Sequence, residues 1–312
     1  MSKVIVSGSV AFDRIMDYDG LFAEHFVPDK LHSINLSFIV DKSSVEFGGT
    51  AGNIAYNLAL LGEQSEIIAT AGTDFSSYKS HLLLSGVDAR TVRMLEGEMT
   101  SSAIIFTDKA DNQIAAFHPG AGAHAYDTPV ETEGRALAII APGNAGDMAM
   151  LPAYYRKKGM KYLYDPGQQI PAISGDSLRD GITGASILFA SDYEFGLIAQ
   201  KTGWAENEII QHCELLVVTY GAEGSRIVGK SGETRIAAVM AEKVVDPTGA
   251  GDAYRSGFIK GLLAALPLSS CAEMGSVVAS FAIEVRGTQN HKFTMDELKR
   301  RHHKTYGGTL SI

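Results

Sequence analysis

Several short runs in this chain are apolar from end to end: Val4-Ile5-Val6, Ile67-Ile68-Ala69, Ala138-Ile139-Ile140, Tyr162-Leu163-Tyr164, Ile187-Leu188-Phe189 and Leu215-Leu216-Val217-Val218. A strand with one wet face alternates apolar and polar residues, whereas a strand covered on both faces has no polar side to show. Between the runs lie segments with helical spacing, such as Ile54, Leu58 and Leu61 within Ala51 to Leu61, and Phe258, Leu262 and Leu266. The alternation predicts βαβ units, hence an α/β fold with a mostly parallel central sheet and helices on both faces. With 312 residues, 45% of them hydrophobic and 20% charged, the chain can fill such a core.

Two stretches break that rhythm. His32 to Phe47 alternates in part (Ile34, Leu36, Phe38, Val40), and Thr100 to Phe117 does so around a turn at Lys109-Ala110-Asp111-Asn112. Alternation of this kind is the mark of antiparallel pairing. Both excursions interrupt the α/β pattern, so they are expected to build one small antiparallel β lid over the carboxyl ends of the parallel strands. No repeat, linker or low-complexity tract divides the sequence. Residues 1–312 are therefore expected to form one domain, with the lid drawn from about 14–47 and 99–119.

Lys and Arg number 27 against 36 Asp and Glu, a net charge of −9 that disfavours nucleic acid and anionic membrane surfaces as partners. The one dense basic run, Lys299-Arg300-Arg301-His302-His303-Lys304, reads as a solvated helix end whose cations suit the helix dipole. Cys213 and Cys271 have neither metal-ligand spacing nor the density of a disulfide scaffold and are expected to be buried. Met1 to Gly8 lacks the apolar core of a signal peptide, and no stretch reaches the ~20 apolar residues of a membrane span. A cytoplasmic location is expected, and the sequon Asn35-Leu36-Ser37 is disregarded.

Chemistry concentrates in Val244-Val245-Asp246-Pro247-Thr248-Gly249-Ala250-Gly251-Asp252-Ala253-Tyr254. A strand is expected to end near Val245, and the helical stripe Tyr254, Phe258, Leu262 starts almost at once and ends before Pro267. Gly249, Ala250 and Gly251 then sit at a helix N-terminus, where unpaired N–H groups and the positive dipole end favour an anion, and glycines let a phosphate approach. Asp252 falls in the first turn of the same helix. A carboxylate there can complement the dipole, or it can orient and deprotonate a hydroxyl that attacks a phosphoryl group. Two aspartates bracketing Thr-Gly-Ala-Gly favour the second reading.

This run resembles the signature of the ribokinase-like (PfkB) family of carbohydrate and nucleoside kinases, and the resemblance extends over essentially the whole chain. Phe47-Gly48-Gly49-Thr50-Ala51-Gly52-Asn53-Ile54-Ala55 resembles the family's other signature, a Gly-Gly turn followed by a helix bearing an asparagine. The resemblance implies an ATP-dependent phosphotransferase with Asp252 as catalytic base and Gly249, Ala250 and Gly251 as its anion hole. It implies that Gly48, Gly49 and Asn53 hold the acceptor sugar, and that Asp13, after the first strand and the Gly8-Ser9 turn, grips sugar hydroxyls. A carboxylate suits that task because charge-assisted bonds to two adjacent hydroxyls are the stronger kind.

On the nucleotide side, Val217-Val218-Thr219-Tyr220-Gly221-Ala222-Glu223-Gly224 resembles the family's strand and glycine turn near ATP, implicating Thr219, Gly221 and Gly224 together with Thr248. Ser191-Asp192-Tyr193-Glu194 resembles the family's Asn-x-x-Glu motif, with serine in place of asparagine. Glu194 is then implied to act on magnesium, through water, as suits a cation that keeps its hydration shell. Parts of the family also take a monovalent cation near the residue equivalent to Asp246. Gly224 to Ser231 matches the letters of a phosphate-binding P-loop, but Arg226-Ile227-Val228 reads as a strand and Lys230 to Glu233 as a turn, so a β-hairpin is expected there and no nest of N–H groups.

The acceptor is the open point. Phe117-His118-Pro119-Gly120-Ala121, Asp165-Pro166-Gly167-Gln168 and Gly287-Thr288-Gln289-Asn290-His291 look most like adenosine-kinase-like members, enzymes of purine salvage. A nucleobase needs an apolar stacking surface. Phe117 is a candidate, as are Phe12, Phe38, Tyr126 and Tyr164, and core or lid packing would explain each of them as well. The 5′-hydroxyl of adenosine is the expected acceptor. A free sugar such as ribose or fructose is the alternative, and a sugar- or nucleoside-binding protein that has lost catalysis is the remote one. Either a monomer or a homodimer fits the sequence.

Overall fold

The computed structural model describes residues 3–26, 36–110 and 112–312. The first half runs β1 (Lys3–Ser7), β2 (Ala11–Asp17), β3 (Lys42–Gly48), α1 (Thr50–Leu60), β4 (Ser65–Ile68), β5 (Thr70–Ala71), α2 (Ser76–Leu84), β6 (Arg93–Met94), β7 (Ser101–Thr107), β8 (Gln113–His118) and β9 (Arg135–Ile140). The second runs α3 (Ala145–Lys158), β10 (Tyr162–Tyr164), α4 (Gly175–Ile182), β11 (Ile187–Ser191), α5 (Asp192–Thr202), α6 (Glu206–His212), β12 (Leu215–Thr219), β13 (Ser225–Gly229), β14 (Gly232–Ile236), α7 (Ala250–Leu263), α8 (Leu268–Ala282) and α9 (Met295–Tyr306).

The apolar runs become the centre of an eight-stranded sheet ordered β14-β13-β12-β11-β10-β9-β1-β4. The strands from β12 to β4 are parallel, and β13 and β14 turn back antiparallel as a hairpin at one edge. Alternate residues of each strand enter different cores. Val4 and Val6 pack with residues of α1, α2, α7 and α8, whereas Ile5 between them packs with residues of α3 to α6. This two-sided burial is why the runs show no polar alternation. Each fully buried Val or Ile contributes roughly 1.5–3 kcal/mol. The β13–β14 hairpin places Gly229 opposite Gly232 and rules out a P-loop.

A second sheet, β3-β2-β7-β8, forms from the two expected excursions. Its antiparallel pairs, β2–β3 and β7–β8, meet along a parallel seam between β2 and β7. Strand β2 begins at Ala11, ahead of the expected position 14. The alternation at Leu36, Phe38 and Val40 makes no strand; Phe38 is held by aromatic contacts with Tyr18, Phe22 and His25 instead of by a ladder. His32, Ile34 and Asn35 of the sequon lie outside the described residues, as does Asp111 of the β7–β8 turn. Beside it, Asp108 Oδ1 accepts from the N–H groups of Ala110 and Asn112 at 2.9 Å each.

No strand forms at Val244-Val245 either. The pair is exposed, and the Val245 N–H donates to Ile283 O, just beyond α8, at 2.8 Å, so β propensity finds no neighbouring strand edge to join. The basic run of α9 is only partly solvated. Arg301 pairs with Glu284 at 2.9 Å over the ring of Phe281, and His302 is buried against Glu273 at 2.9 Å. Cys213 and Cys271 are buried and unpaired. Among the described residues no helix is long and apolar enough to cross a membrane.

Candidate active site

A cavity of about 630 Å³ opens at the carboxyl ends of the central strands: Gly8 and Ser9 follow β1, Pro142 and Gly143 follow β9, and Asp165 follows β10. The second sheet contributes Asp13 from β2, Ala103 from β7 and Phe117 from β8. Two helix N-termini point their first turns into the same space, α1 with Gly49, Thr50 and Asn53, and α7 with Gly249, Gly251 and Asp252. Ligands bind at this end of open α/β sheets as a rule.

The turn into α1 requires glycine at 49. Its φ is +87°, and a Cβ there would meet Ser9 O at 2.6 Å. Gly48 ends β3 directly beside the Asp13 carboxylate. Asp13 itself is the third residue of strand β2, and this fixes its direction into the cavity. Burial pushes its carboxyl up to about 6, helped by the negative charges of Asp246 and Glu46.

Asn53 donates from Nδ2 to Asp252 Oδ2 at 2.8 Å. Its amide is oriented from behind, since Oδ1 accepts from Gln289 Nε2 at 3.0 Å and lies 2.7 Å from Thr288 Oγ1. Gln289 is held in turn by the Tyr78 hydroxyl and by His81 Nε2 at 3.1 Å. Burial pushes the Asp252 carboxyl up to about 6, while the Asn53 bond and the Arg255 charge hold it back and the Glu194 charge adds to the rise. Asn53 thus carries a task beyond the sugar contact implied by resemblance.

The remaining candidates divide. Ala250 directs its N–H back to Pro247 O at 3.3 Å, while the N–H groups of Gly251 and Asp252 occupy the first turn, where no intrahelical acceptor exists. Thr248 lines the cavity and donates its N–H to Asp246 Oδ1 at 3.0 Å; Asp246 Oδ2 accepts from the Gly287 N–H at 3.0 Å. Thr219, Gly221 and Gly224 do not line the cavity. They lie at the carboxyl end of β12, where Thr219 is level with Ser191 of β11. Among the described residues Phe117 is the Phe, Tyr or Trp that lines the cavity. Phe12, Tyr126 and Tyr164 are buried in the cores, and Phe38 belongs to the cluster with Tyr18.

Glu194 lines the cavity and closes a capping box with Ser191: Oε2 accepts from the Ser191 N–H at 2.7 Å, and Ser191 Oγ accepts from the Glu194 N–H at 3.2 Å. Serine at 191 therefore caps α5. Among the described residues no cluster of three or more His, Cys, Asp or Glu could cage a metal ion. Glu194 and Asp252 do offer hard oxygen donors of the kind magnesium meets through its water shell, so the residues fit an ion brought in with a nucleotide.

Sequence reasoning assigned no role to Arg255, Asp165, Thr288 or Gln289. The signal for Arg255 was available, because it lies one turn after Asp252 within the otherwise apolar stripe of Tyr254 and Phe258.

A ribokinase-like α/β fold with this paired-carboxylate cavity defines a phosphotransferase that acts on a hydroxyl group. The chain belongs to the pfkB family of carbohydrate kinases, whose description matches residues 1–294. It is 30% identical to a nucleoside kinase of Methanocaldococcus jannaschii over 309 residues, covering 96% of this chain and 97% of that one. It is similar in structure to Burkholderia thailandensis nucleoside kinase in complex with inosine, with a TM-score of 0.87, 35% identity and coverage of 98% and 99% of the two chains. The same enzyme in complex with ADP-inosine matches with a TM-score of 0.86 and 36% identity over 98% of this chain and 97% of that one.

Proposed function

We propose that this protein is an ATP-dependent nucleoside kinase that phosphorylates the 5′-hydroxyl of a purine nucleoside, adenosine first, as in purine salvage. The observation that carries the reading is the Asn53–Asp252 bond: it holds a carboxylate raised to about 6 at the N-terminus of α7, in the cavity that Asp13 enters from the opposite sheet. Nucleoside kinases among its relatives, one of them seen with inosine, support a purine acceptor.

In this reading Asp13 accepts hydrogen bonds from the ribose 2′- and 3′-hydroxyls, and Gly49 brings backbone close to the sugar. Asp252 orients the 5′-hydroxyl and takes its proton as the oxygen attacks the γ-phosphorus. First-turn N–H groups of α7 receive the phosphoryl oxygens. Phe117, 62% exposed, offers the base a stacking face. When bound with ATP, magnesium would neutralise phosphate charge, and Glu194 would hold it through water. Thr219, Gly221 and Gly224 flank the nucleotide beyond Glu194. The second sheet acts as a lid whose closure excludes water that would otherwise hydrolyse ATP.

A sugar kinase using the same machinery is the second reading, favoured by the family's carbohydrate acceptors. Incubation with MgATP and adenosine, inosine, guanosine, ribose or fructose, with products identified by mass spectrometry, separates the two. Nucleoside 5′-monophosphate supports the first reading, and sugar phosphate alone replaces it with the second.

A further inference from the structure

The cavity has to receive the end of a triphosphate, yet Asp13, Asp147, Asp165, Glu194 and Asp252 all line it, and among the described residues Arg255 is the one Lys or Arg that does. Arg255 sits one turn after Asp252 on α7, with its side chain 8% exposed. One side of the guanidinium is fixed. Nη2 donates to Asp165 Oδ1 at 2.9 Å, Nε faces the other oxygen of that carboxylate, and the group lies 5.6 Å from the centre of the Phe189 ring. The other side is turned toward the anion site. Nη1 lies so close to Gly251 that a Cβ at 251 would come within 2.5 Å of it, and Nη1 has no hydrogen-bond partner among the described residues.

A buried cation that is hydrogen-bonded to Asp165 through Nη2, in ion-pair contact with it at Nε, and presents Nη1 at a helix N-terminus is built to meet an anion. Guanidinium matches phosphate oxygens geometrically and holds its charge when buried. We propose that Arg255 is a further catalytic residue of the phosphoryl transfer, donating from Nη1 to an equatorial oxygen of the γ-phosphoryl group in transit. The inference rests on the kinase reading above.

In that step the acceptor hydroxyl gives its proton to Asp252 and its oxygen forms the new O–P bond. The bond from phosphorus to the β,γ-bridging oxygen breaks, and its electron pair leaves on ADP. Charge spreads over the three equatorial oxygens between these events, and a donor already in place costs no reorganisation. Asp165 is a positioning residue, holding the guanidinium before substrate arrives. Gly251 admits both the phosphate and the arginine, since any side chain there would displace Nη1.

The test compares wild type, Arg255→Met, Arg255→Lys and the double variant Arg255→Met/Asp165→Asn, measuring kcat, the KM for nucleoside, and the binding of ADP with nucleoside and aluminium fluoride, a mimic of the transferring phosphoryl group. Both methionine variants should lose about 10²- to 10³-fold in kcat. Their nucleoside KM should stay within about threefold, and the aluminium fluoride-dependent tightening of ADP should vanish; lysine should fall between. The double variant leaves no unpaired buried carboxylate, so it carries the measurement if Arg255→Met fails to fold. A double variant that turns over within about threefold of wild type means that Arg255 only neutralises Asp165, and overturns the proposal while the kinase reading stands. Wild type inert toward every acceptor overturns both.

Discussion

Asn53 and Asp252, 199 residues apart in sequence, share one hydrogen bond of 2.8 Å between the first turns of α1 and α7. The bond joins the two glycine motifs into one site and favours the charged form of Asp252. Desolvation raises the Asp252 carboxyl to about 6, so the carboxylate proposed as the base is ionised above that pH and is lost as pH falls through it. The kcat profile should therefore fall about tenfold per pH unit below about pH 6. Asn53→Ala removes the donor, so the acid limb should move up by up to about one unit, with kcat reduced at neutral pH. An unmoved limb in a pH–rate profile would separate Asn53 from Asp252 in function.

Asp13 is likewise raised to about 6, chiefly by burial. The folded state then holds this proton more tightly than the unfolded chain, whose aspartate titrates near 4. The group works against folding above about pH 6, and the penalty fades as pH falls toward 4. Asp13→Asn should raise Tm by about 2–4 °C at pH 8 and by little near pH 4, read by thermal scanning, while raising the nucleoside KM about tenfold or more. Equal Tm gains at both pH values would contradict the linkage.

Gly49→Ala forces a side chain into φ +87° and against Ser9 O at 2.6 Å, a backbone atom that cannot swing aside. A loss of about 1–3 kcal/mol is expected in urea unfolding, with a higher nucleoside KM because the α1 turn must shift.

Ser191 is the residue where this chain departs from the family motif, and its hydroxyl caps α5. Ser191→Ala should cost about 1 kcal/mol, and Ser191→Asn, which retains a capping oxygen, only a few tenths. Equal losses in chemical denaturation would mean that the capping box carries no stability.

The parallel core was legible because burial on both faces leaves an unmistakable trace, as Val4-Ile5-Val6 does. The hairpin at Gly229 to Gly232 was legible because Arg226-Ile227-Val228 could not be a loop. Asp246 to Asp252 announced the N-terminus of α7 through local chemistry alone, and Phe117 could be named but not distinguished from core aromatics such as Tyr164. Propensity misled at Val244-Val245, where two β-branched residues meet no strand edge. The Asn53–Gln289 support and the Arg255–Asp165 pair were invisible, because nothing local signals which distant side chain completes a buried polar group. Strand β2 was missed in part because Asp13 and Arg14 both project toward cavity or solvent and blur its alternation.

The most direct test of the account is a coupled ADP-release assay with MgATP and adenosine, comparing wild type with Asp252→Asn. The account predicts saturable turnover that the substitution cuts by about 10²- to 10⁴-fold, with the nucleoside still bound. Full turnover by Asp252→Asn would contradict the assignment of Asp252 as the base on which the whole site is built.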